Sequence, residues 1–264
     1  MMGFHLDGQI CRVGCAFCYL GQRTGGGAES ARTLPAGLLE DIVSRLLATE
    51  IAVSISEPAR RWRAGLEALA AAAQRHGKSL TITTTPDVVA ADPWVLRGAS
   101  RVSLSVDPAK HSGRDAWETA LTMAKREGLE VIALVSLATP DFADALAGGL
   151  IAELLARPEI DAVSLNGLKP PPPWCDRAFW LRFCSRIRPL LEEHLHRRLH
   201  LDCYVGARIL GLGGCPAKPD ISPGREFRSC VYQAEPDFVF ADAVELARRV
   251  SAYVPPAVCP FVIR

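Results

Sequence analysis

The sequence lacks the features that mark membrane proteins and nucleic-acid-binding proteins. It has no run of about 18 or more apolar residues, so no segment is long enough to cross a bilayer as a helix. Its 30 lysines and arginines nearly balance its 29 aspartates and glutamates. So small a net charge creates no general attraction to nucleic acid or to an anionic membrane. We therefore expect neither of them among its partners.

The first residues also lack an export signal, because no cationic segment is followed by an apolar stretch. The chain nevertheless contains nine cysteines. In a protein without such a signal, clustered cysteines bind metals or do redox chemistry more often than they form disulfides. We therefore expect a cytoplasmic protein with a metal or redox site.

Short segments rich in β-branched residues alternate with helical segments between residues 4 and 198. The predicted strands are residues 4–7, 51–56, 80–84, 101–107, 130–138 and 160–166. The intervening helices include residues 88–98, 141–156 and 176–198, and residues 200–205 are predicted as one more strand. This alternation predicts an α/β fold with a parallel sheet. Periodicity alone leaves open a doubly wound sheet, a full barrel or a partial barrel.

Three cysteines lie close together directly after the first predicted strand. Cys11, Cys15 and Cys18 form a C-x3-C-x2-C pattern. Three thiolates on one loop can hold three irons of a [4Fe-4S] cluster and leave the fourth iron open for another ligand. The alternatives are buried thiols that bind nothing and a structural zinc site. Zinc would need a fourth ligand, which the neighbouring sequence does not supply.

With Phe17 before the third cysteine and six βα units around it, this motif resembles the radical S-adenosylmethionine (SAM) superfamily. The resemblance covers about residues 3–200 and implies a (βα)6 partial TIM barrel. It implies that Cys11, Cys15 and Cys18 hold a [4Fe-4S] cluster whose open iron chelates SAM. Reductive cleavage of SAM then gives a 5′-deoxyadenosyl radical, which abstracts hydrogen from a substrate. An electron donor such as a flavodoxin or a ferredoxin is implied as a partner.

The same resemblance suggests residues that contact SAM besides Phe17. Ser56 and Glu57 follow the second strand where family members carry Gly-Gly-Glu-Pro, although this chain has Ile55 and Ser56 in place of the two glycines. They fit the start of a helix equally well. Ser105 and Asp107 share one face of the fourth strand by alternation and are predicted to bind the SAM ribose. Asn166 ends the sixth strand and is predicted to meet the adenine or the ribose. For Ser105 and Asp107, a solvated strand end is the alternative.

Residues 201–264 have a different composition from residues 1–200, which we assign to the barrel. They are rich in glycine and proline and contain Cys203, Cys215, Cys230 and Cys259. This segment resembles the auxiliary-cluster extensions of radical SAM enzymes, of the twitch or SPASM type, and so implies a second [4Fe-4S] cluster. The alternative is that these cysteines are buried and bind nothing. Cys175 and Cys184 stand at helical positions among aromatic residues and are predicted to belong to the core.

From this resemblance we expect a radical SAM enzyme that modifies a peptide or a small metabolite. An activase of glycyl-radical enzymes is a second enzymatic option. Two alternatives involve no catalysis. One is an iron–sulfur protein that transfers electrons, and the other is a degenerate scaffold that binds a partner. The sequence identifies no catalytic residue beyond the cluster ligands.

Overall fold

The computed structural model describes residues 1–4, 34–55, 63–107, 113–168, 171–211, 219–222, 224–230, 233 and 235–254. The strands are Met2–Phe4 (β1), Glu50–Ser54 (β2), Ser79–Thr84 (β3), Arg101–Val106 (β4), Glu130–Ser136 (β5), Ala162–Asn166 (β6), Leu199–Leu201 (β7), Asp220–Ile221 (β8), Glu226–Arg228 (β9) and Phe238–Val239 (β10). The α-helices are Ala36–Arg45 (α1), Arg63–Arg75 (α2), Pro86–Ala91 (α3), Arg114–Arg126 (α4), Pro140–Ala145 (α5), Ile151–Ala156 (α6), Arg177–His194 (α7), Cys203–Leu210 (α8) and Ala243–Ser251 (α9).

These strands form one mixed sheet in the order β10-β9-β8-β1-β2-β3-β4-β5-β6-β7. Strands β1 to β7 are parallel and stand side by side in chain order, and β8 pairs in parallel with the other side of β1. Right-handed crossovers that always step in the same direction place their helices on one face of the sheet. The predicted α/β fold with a parallel sheet is confirmed, and the strand order is that of a singly wound sheet. Closure toward a partial barrel stays a prediction, because β10 and β7 are the edges of the described sheet.

The strand register gives the sheet one strongly apolar face. A single row of paired residues runs across six strands, and each of its members is at most 1% exposed: Ile221, Phe4, Val53, Ile82, Val102 and Val131. Residues paired across strands lie on the same face. This apolar face is the face that the helices cover, and it contains the main core of the described protein.

Two glycines lie just beyond the ends of helices and adopt a positive φ. Gly77 follows α2 with a φ of 61°, and Gly128 follows α4 with a φ of 72°. Both angles lie in the left-handed region that a helix C-terminus often needs and that glycine adopts without a steric penalty. The chain then turns directly into β3 and β5, which keeps the strand-helix units short.

Three predicted elements differ from the observed ones. The helix expected over 88–98 is divided into α3 and a 3-10 turn, Pro93–Leu96, because a proline follows Asp92. The helix expected over 141–156 is interrupted by a π-helical segment, Leu146–Leu150, in which Gly149 has a φ of 146°. The strand expected over 200–205 is shorter in the structure and ends with β7 at Leu201. The chain enters α8 after Asp202, whose carboxylate caps that helix.

The C-terminal segment joins the main sheet through β8. Gly3 of β1 pairs with Asp220, and a Cβ atom at Gly3 would lie 3.3 Å from the Asp220 Cβ and from the Pro219 carbonyl oxygen. A side chain at this position would therefore crowd the neighbouring strand. Helix α9 is capped by Asp242 and contacts α1. Within the described residues, no helix is long and apolar enough to span a membrane.

Candidate active site

The second face of the parallel sheet is polar. Its paired rows contain Ser54, Thr83 and Ser103, then Ser105 and Ser164 on either side of Leu134. The next level brings Ser136 beside Asn166. Asp107 belongs to the same face because it lies two residues beyond Ser105 along the strand direction. The register therefore places Ser105, Asp107 and Asn166, three of the residues predicted to contact SAM, on one side of the sheet.

The amino-terminal end of this polar face is closed by an ion-pair network. Arg101 lies between two carboxylates, with its Nη1 2.9 Å from Glu50 Oε1 and its Nε 2.9 Å from Glu130 Oε2. Thr81 donates its hydroxyl to Glu50 Oε1 at 2.7 Å. Burial alone would lower the pKa of Arg101, but the hydrogen bonds and charges of Glu130 and Glu50 raise it above its usual value. Arg101 and the two carboxylates thus pair with one another, so few unpaired polar groups remain for a ligand among the described residues at this end of the face.

The carboxyl-terminal end carries buried polar side chains instead. Ser105 is 4% exposed and Asp107 is 2% exposed at the end of β4. Asn166 is half-buried, and its Nδ2 donates to the Ser164 carbonyl at 3.2 Å. Removing a carboxylate and a hydroxyl from water is costly, and loops at this end of a parallel sheet are where binding sites are built. The geometry therefore favours a binding site at the carboxyl ends of β4 to β6.

A second group of residues lies at this edge, at the start of α8, and was not predicted from the sequence. Asp202 is 3% exposed, and its Oδ1 accepts from the Val205 backbone N–H at 2.7 Å. Tyr204 is fully buried and lies against Gly167, where a Cβ atom would be only 2.3 Å from the tyrosine Cδ1. The available signal was an aspartate two residues before the apolar pair Tyr204-Val205, which is typical of a helix N-cap.

An aromatic cluster supports this edge from the side of α7. Trp180 meets Tyr204 edge to face with 5.7 Å between ring centroids, and Phe179 packs against both Trp174 and Trp180. Edge-to-face aromatic pairs add stabilisation beyond the area that they bury. The cluster holds the first turn of α8, and with it Cys203, against the end of β6.

The described cysteines fall into two groups. Cys175 and Cys184 pack against the core, as predicted, and burial raises the pKa of the Cys175 thiol to about 12 and that of Cys184 above its usual value. Thiols of this kind stay protonated and are poor metal ligands. Cys203 begins α8 and Cys230 follows β9, and both are half-buried. The Cys230 backbone N–H donates to Gln233 Oε1 at 2.8 Å, which fixes the turn after β9.

The other predicted site residues lie outside the described residues. These are Cys11, Cys15, Phe17, Cys18, Ser56, Glu57, Cys215 and Cys259. Their predicted roles are therefore not tested by the geometry. Among the residues that the structure does describe, no three histidine, cysteine, aspartate or glutamate side chains are grouped so that they could hold a metal ion.

A surface cavity of about 550 Å³ lies at the opposite end of the sheet. It is lined by α2, the 3-10 turn and the residues just before β3 and β4, including Gln74, Lys78, Trp94 and Ser100. Lys78 already donates to the carbonyls of Leu46 and Ala48 at 2.7 Å. This cavity is remote from Ser105 and Asp107, so the two features are separate.

The chain is similar in fold to the crystal structure of SuiB from Streptococcus suis, bound to the precursor peptide SuiA. The TM-score is 0.61 at 13% sequence identity, and the match covers 99% of this chain and 65% of SuiB. This chain thus spans about two thirds of the length of SuiB. A match at this identity shows a shared fold and no more.

A second match is to the crystal structure of a conserved protein of unknown function from Enterococcus faecalis. The match covers 70% of this chain and 65% of the Enterococcus protein at 12% sequence identity. Its TM-score of 0.23 is too low to indicate a common fold. No protein-family model and no curated protein matches the sequence. The SuiB comparison therefore supports the α/β fold with a parallel sheet.

Proposed function

We propose that this chain is a radical SAM enzyme. The observation that carries the proposal is the position of the C-x3-C-x2-C motif, which lies between β1 and α1 in a singly wound parallel sheet. In such a sheet, the connections from strand to helix leave from the carboxyl edge, where Ser105 and Asp107 are buried. Cys11, Cys15 and Cys18 would hold the [4Fe-4S] cluster, which supplies the reductive cleavage of SAM when it is bound.

The described residues fit a SAM-binding role. Ser105 and Asp107 offer a hydroxyl and a carboxylate, and these groups suit the hydroxyls of a ribose. Asn166, on the same face two strands away, offers an amide that can both donate to and accept from an adenine. Phe17, Ser56 and Glu57 complete the proposed contacts. In this arrangement the protein orients SAM and keeps water away, since the two strand-end side chains are almost fully buried.

We further propose a second [4Fe-4S] cluster in the C-terminal segment, with Cys215, Cys230 and Cys259 as ligands and Cys203 as the fourth. Cys230 stands in a turn fixed by two hydrogen bonds, from its own N–H to Gln233 and from the Ser229 N–H to Asp237 Oδ2 at 2.6 Å. A ligand held in a rigid turn loses little entropy when it binds a metal. Iron and sulfide analysis of a Cys11→Ala/Cys15→Ala/Cys18→Ala variant tests this second site, because iron should remain. Complete loss of cluster iron would rule it out.

A peptide is the proposed substrate class. SuiB, which shares the fold, was crystallised with a precursor peptide, and the support for a peptide substrate here comes from that likeness. The likeness extends over nearly the whole of this chain, so the edge of the sheet that carries Ser105 and Asp107 is included in it. Fold alone does not establish a substrate, and a direct assay of the chemistry is therefore required.

The test is the formation of 5′-deoxyadenosine from SAM by the protein after anaerobic reconstitution with iron and sulfide and reduction with dithionite. We expect turnover by the wild type and none by the variant with alanine at Cys11, Cys15 and Cys18. Cys184→Ala is the matched control, because Cys184 packs against the core and should not be a ligand. An intact, reducible cluster that yields no 5′-deoxyadenosine would refute the proposed function.

A further inference from the structure

Helix α7 has an unusual distribution of charge. Between Arg177 and Leu191 it contains four arginines and no aspartate or glutamate, whereas the formal net charge of the whole chain is only +1. The buried side of this helix consists of Phe179, Trp180, Phe183 and Ile187. The arginines lie on the other side, in contact with solvent. The first three turns of α7 are therefore a local positive surface on a nearly neutral protein.

One of the four arginines has a structural partner. Arg186 Nη1 lies 2.8 Å from Asp144 Oδ1 at the end of α5, which ties the two helices together. Arg177, Arg182 and Arg188 are exposed and form no ion pair with any other described residue. With Leu181 they make up what we call the α7 arginine face. Exposed charges without an internal partner are available to a partner of opposite charge.

Leu181 gives this face an apolar centre. Its side chain is 63% exposed, and it stands one helical turn after Arg177. Arg188 lies on the same flank as Arg177, because eleven residues correspond to just over three turns of an α-helix. Arg182 stands further round the exposed side. An apolar residue between basic ones is typical of a surface that binds protein or peptide, whereas binding to phosphates alone would need no exposed leucine.

The position of α7 relates this surface to the proposed active site. The helix follows β6, and its first turn therefore begins on the carboxyl side of the sheet, the side that carries Ser105, Asp107 and Asn166. The axial distance from Arg177 to Arg188 is about 16 Å at 1.5 Å per residue. An extended peptide covers that distance with about five residues. A substrate peptide that reaches the carboxyl edge can thus lie along α7 with a short acidic segment.

We propose that the α7 arginine face docks an acidic segment of the peptide substrate, in which carboxylates flank a large apolar residue. This inference rests on the peptide-modifying function proposed above. The arginines attract and orient the acidic side chains, and Leu181 packs against the apolar one. The contact lies outside the catalytic centre, so it affects affinity for the peptide and leaves SAM cleavage unchanged.

The test uses the full chain without SAM and a fluorescein-labelled peptide of 12 residues that contains only glutamate, leucine and glycine. Binding is followed by fluorescence anisotropy at low and high salt. We compare the wild type with Arg177→Gln/Arg182→Gln/Arg188→Gln, which leaves the Arg186–Asp144 pair intact. The control, Arg97→Gln/Arg126→Gln/Arg248→Gln, removes three exposed arginines elsewhere and changes the net charge equally.

We expect the α7 variant to bind the peptide at least about 10-fold more weakly, and the control variant to change affinity by less than about 2-fold. Replacement of glutamate by glutamine in the probe should abolish the difference between them. Equal losses in both variants, or no loss in the α7 variant, would overturn the proposal. So would tighter binding of a 12-nucleotide single-stranded DNA that depends on the same arginines, since the surface would then recognise nucleic acid.

The peptide-binding experiment does not depend on the cleavage of SAM. Anisotropy needs neither the cluster nor SAM, whereas 5′-deoxyadenosine formation needs both. Selective peptide binding without formation of 5′-deoxyadenosine would support the docking surface and contradict the proposed enzymatic activity. Formation of 5′-deoxyadenosine without selective peptide binding would support the enzymatic activity and contradict the docking surface.

Discussion

The two faces of the parallel sheet differ in a way that separates stability from binding. The apolar face carries a continuous row of fully buried side chains from Ile221 to Val131. The opposite face carries hydroxyls, carboxylates and an amide on strands β2 to β6. Burial of the apolar row stabilises the fold through the hydrophobic effect. The polar residues contribute little to that term, and their burial costs free energy unless they are hydrogen-bonded.

The polar face is itself divided. At its amino-terminal end, Arg101 is neutralised by Glu50 and Glu130, so the charged groups satisfy one another. At its carboxyl-terminal end, Ser105 and Asp107 are more deeply buried than either of those carboxylates. The two ends of the polar face therefore differ. Charged side chains pair with one another at the amino-terminal end, whereas more deeply buried polar side chains lie at the carboxyl-terminal end, where we propose the SAM site.

The largest effect is expected on the apolar face. Leu104→Ala removes a fully buried side chain from β4 and should lower the free energy of unfolding by about 2–5 kcal/mol, because it leaves a cavity. Ser103→Ala, one residue away on the polar face, should cost about 1 kcal/mol or less. Urea unfolding followed by circular dichroism measures both. Similar losses in the two variants would show that the faces do not differ as described.

Asp107→Asn tests the polar face. It removes a charged acceptor from the proposed SAM site, and loss of such a hydrogen bond costs about 1.5–3 kcal/mol, which corresponds to roughly a 10–100-fold weaker affinity for SAM. Equilibrium dialysis of SAM with the reconstituted protein measures the change. Asp141→Asn, on the exposed first turn of α5, is the control and should bind SAM as the wild type does. Unchanged affinity in Asp107→Asn would remove this residue from the proposed site.

Gly167→Ala tests the junction between β6 and α8. The new Cβ atom would lie 2.3 Å from Tyr204 Cδ1, so the buried ring must move, at a cost of about 1–3 kcal/mol. Gly37→Ala is the matched control, because it stands in α1 with nothing within 4 Å of the added atom. That variant should be neutral or slightly stabilising, since alanine favours a helix over glycine. Thermal unfolding compares the two, and equal midpoints would contradict the close packing described.

The smallest effect is expected outside the sheet, at the pair of Arg157 with Glu118. Hydrogen bonds from Arg157, at 2.7 Å to each carboxylate oxygen, hold the pKa of Glu118 below its usual value. A carboxyl with a lowered pKa in the folded state stabilises the protein above its unfolded pKa, and this contribution is lost as the pH falls through the folded value.

Glu118→Gln should therefore destabilise the protein at pH 7 by at most about 1 kcal/mol, because the Glu118 side chain is 41% exposed and solvent screens the pair. The difference from the wild type should shrink as the pH is lowered below the ordinary range of a glutamate. Urea unfolding at several pH values tests this dependence. Glu127→Gln, an exposed substitution just after α4, is the control and should show no comparable change.

Much of the fold was predictable because its signals are local. The alternation of β-branched and helical segments predicted the first six strands in order. The misjudged elements were those in which one residue overrides a longer pattern: Pro93 after α3, Gly149 in the π-helical segment, and Asp202 as the cap of α8. In each of them, backbone geometry at a single position decided the outcome.

The candidate site was predictable only in part. Ser105 and Asp107 could be placed on one face because side chains alternate along a strand. Their alignment with Asn166 could not, because it depends on the register of β4, β5 and β6, which are far apart in sequence. Asp202 and Tyr204 were missed for the same reason, since their place beside Gly167 results from packing between distant segments.

The sequence by itself determined the α/β class, the parallel direction of the strands and the position of the C-x3-C-x2-C motif after the first strand, since each follows from local patterns and chain order. The tertiary structure alone decided the single winding of the sheet, the pairing of β8 with β1 and the separation into an apolar and a polar face. The physical reason is that strand pairing and register are set by contacts between residues distant in the chain, which leave no periodic signal in the sequence.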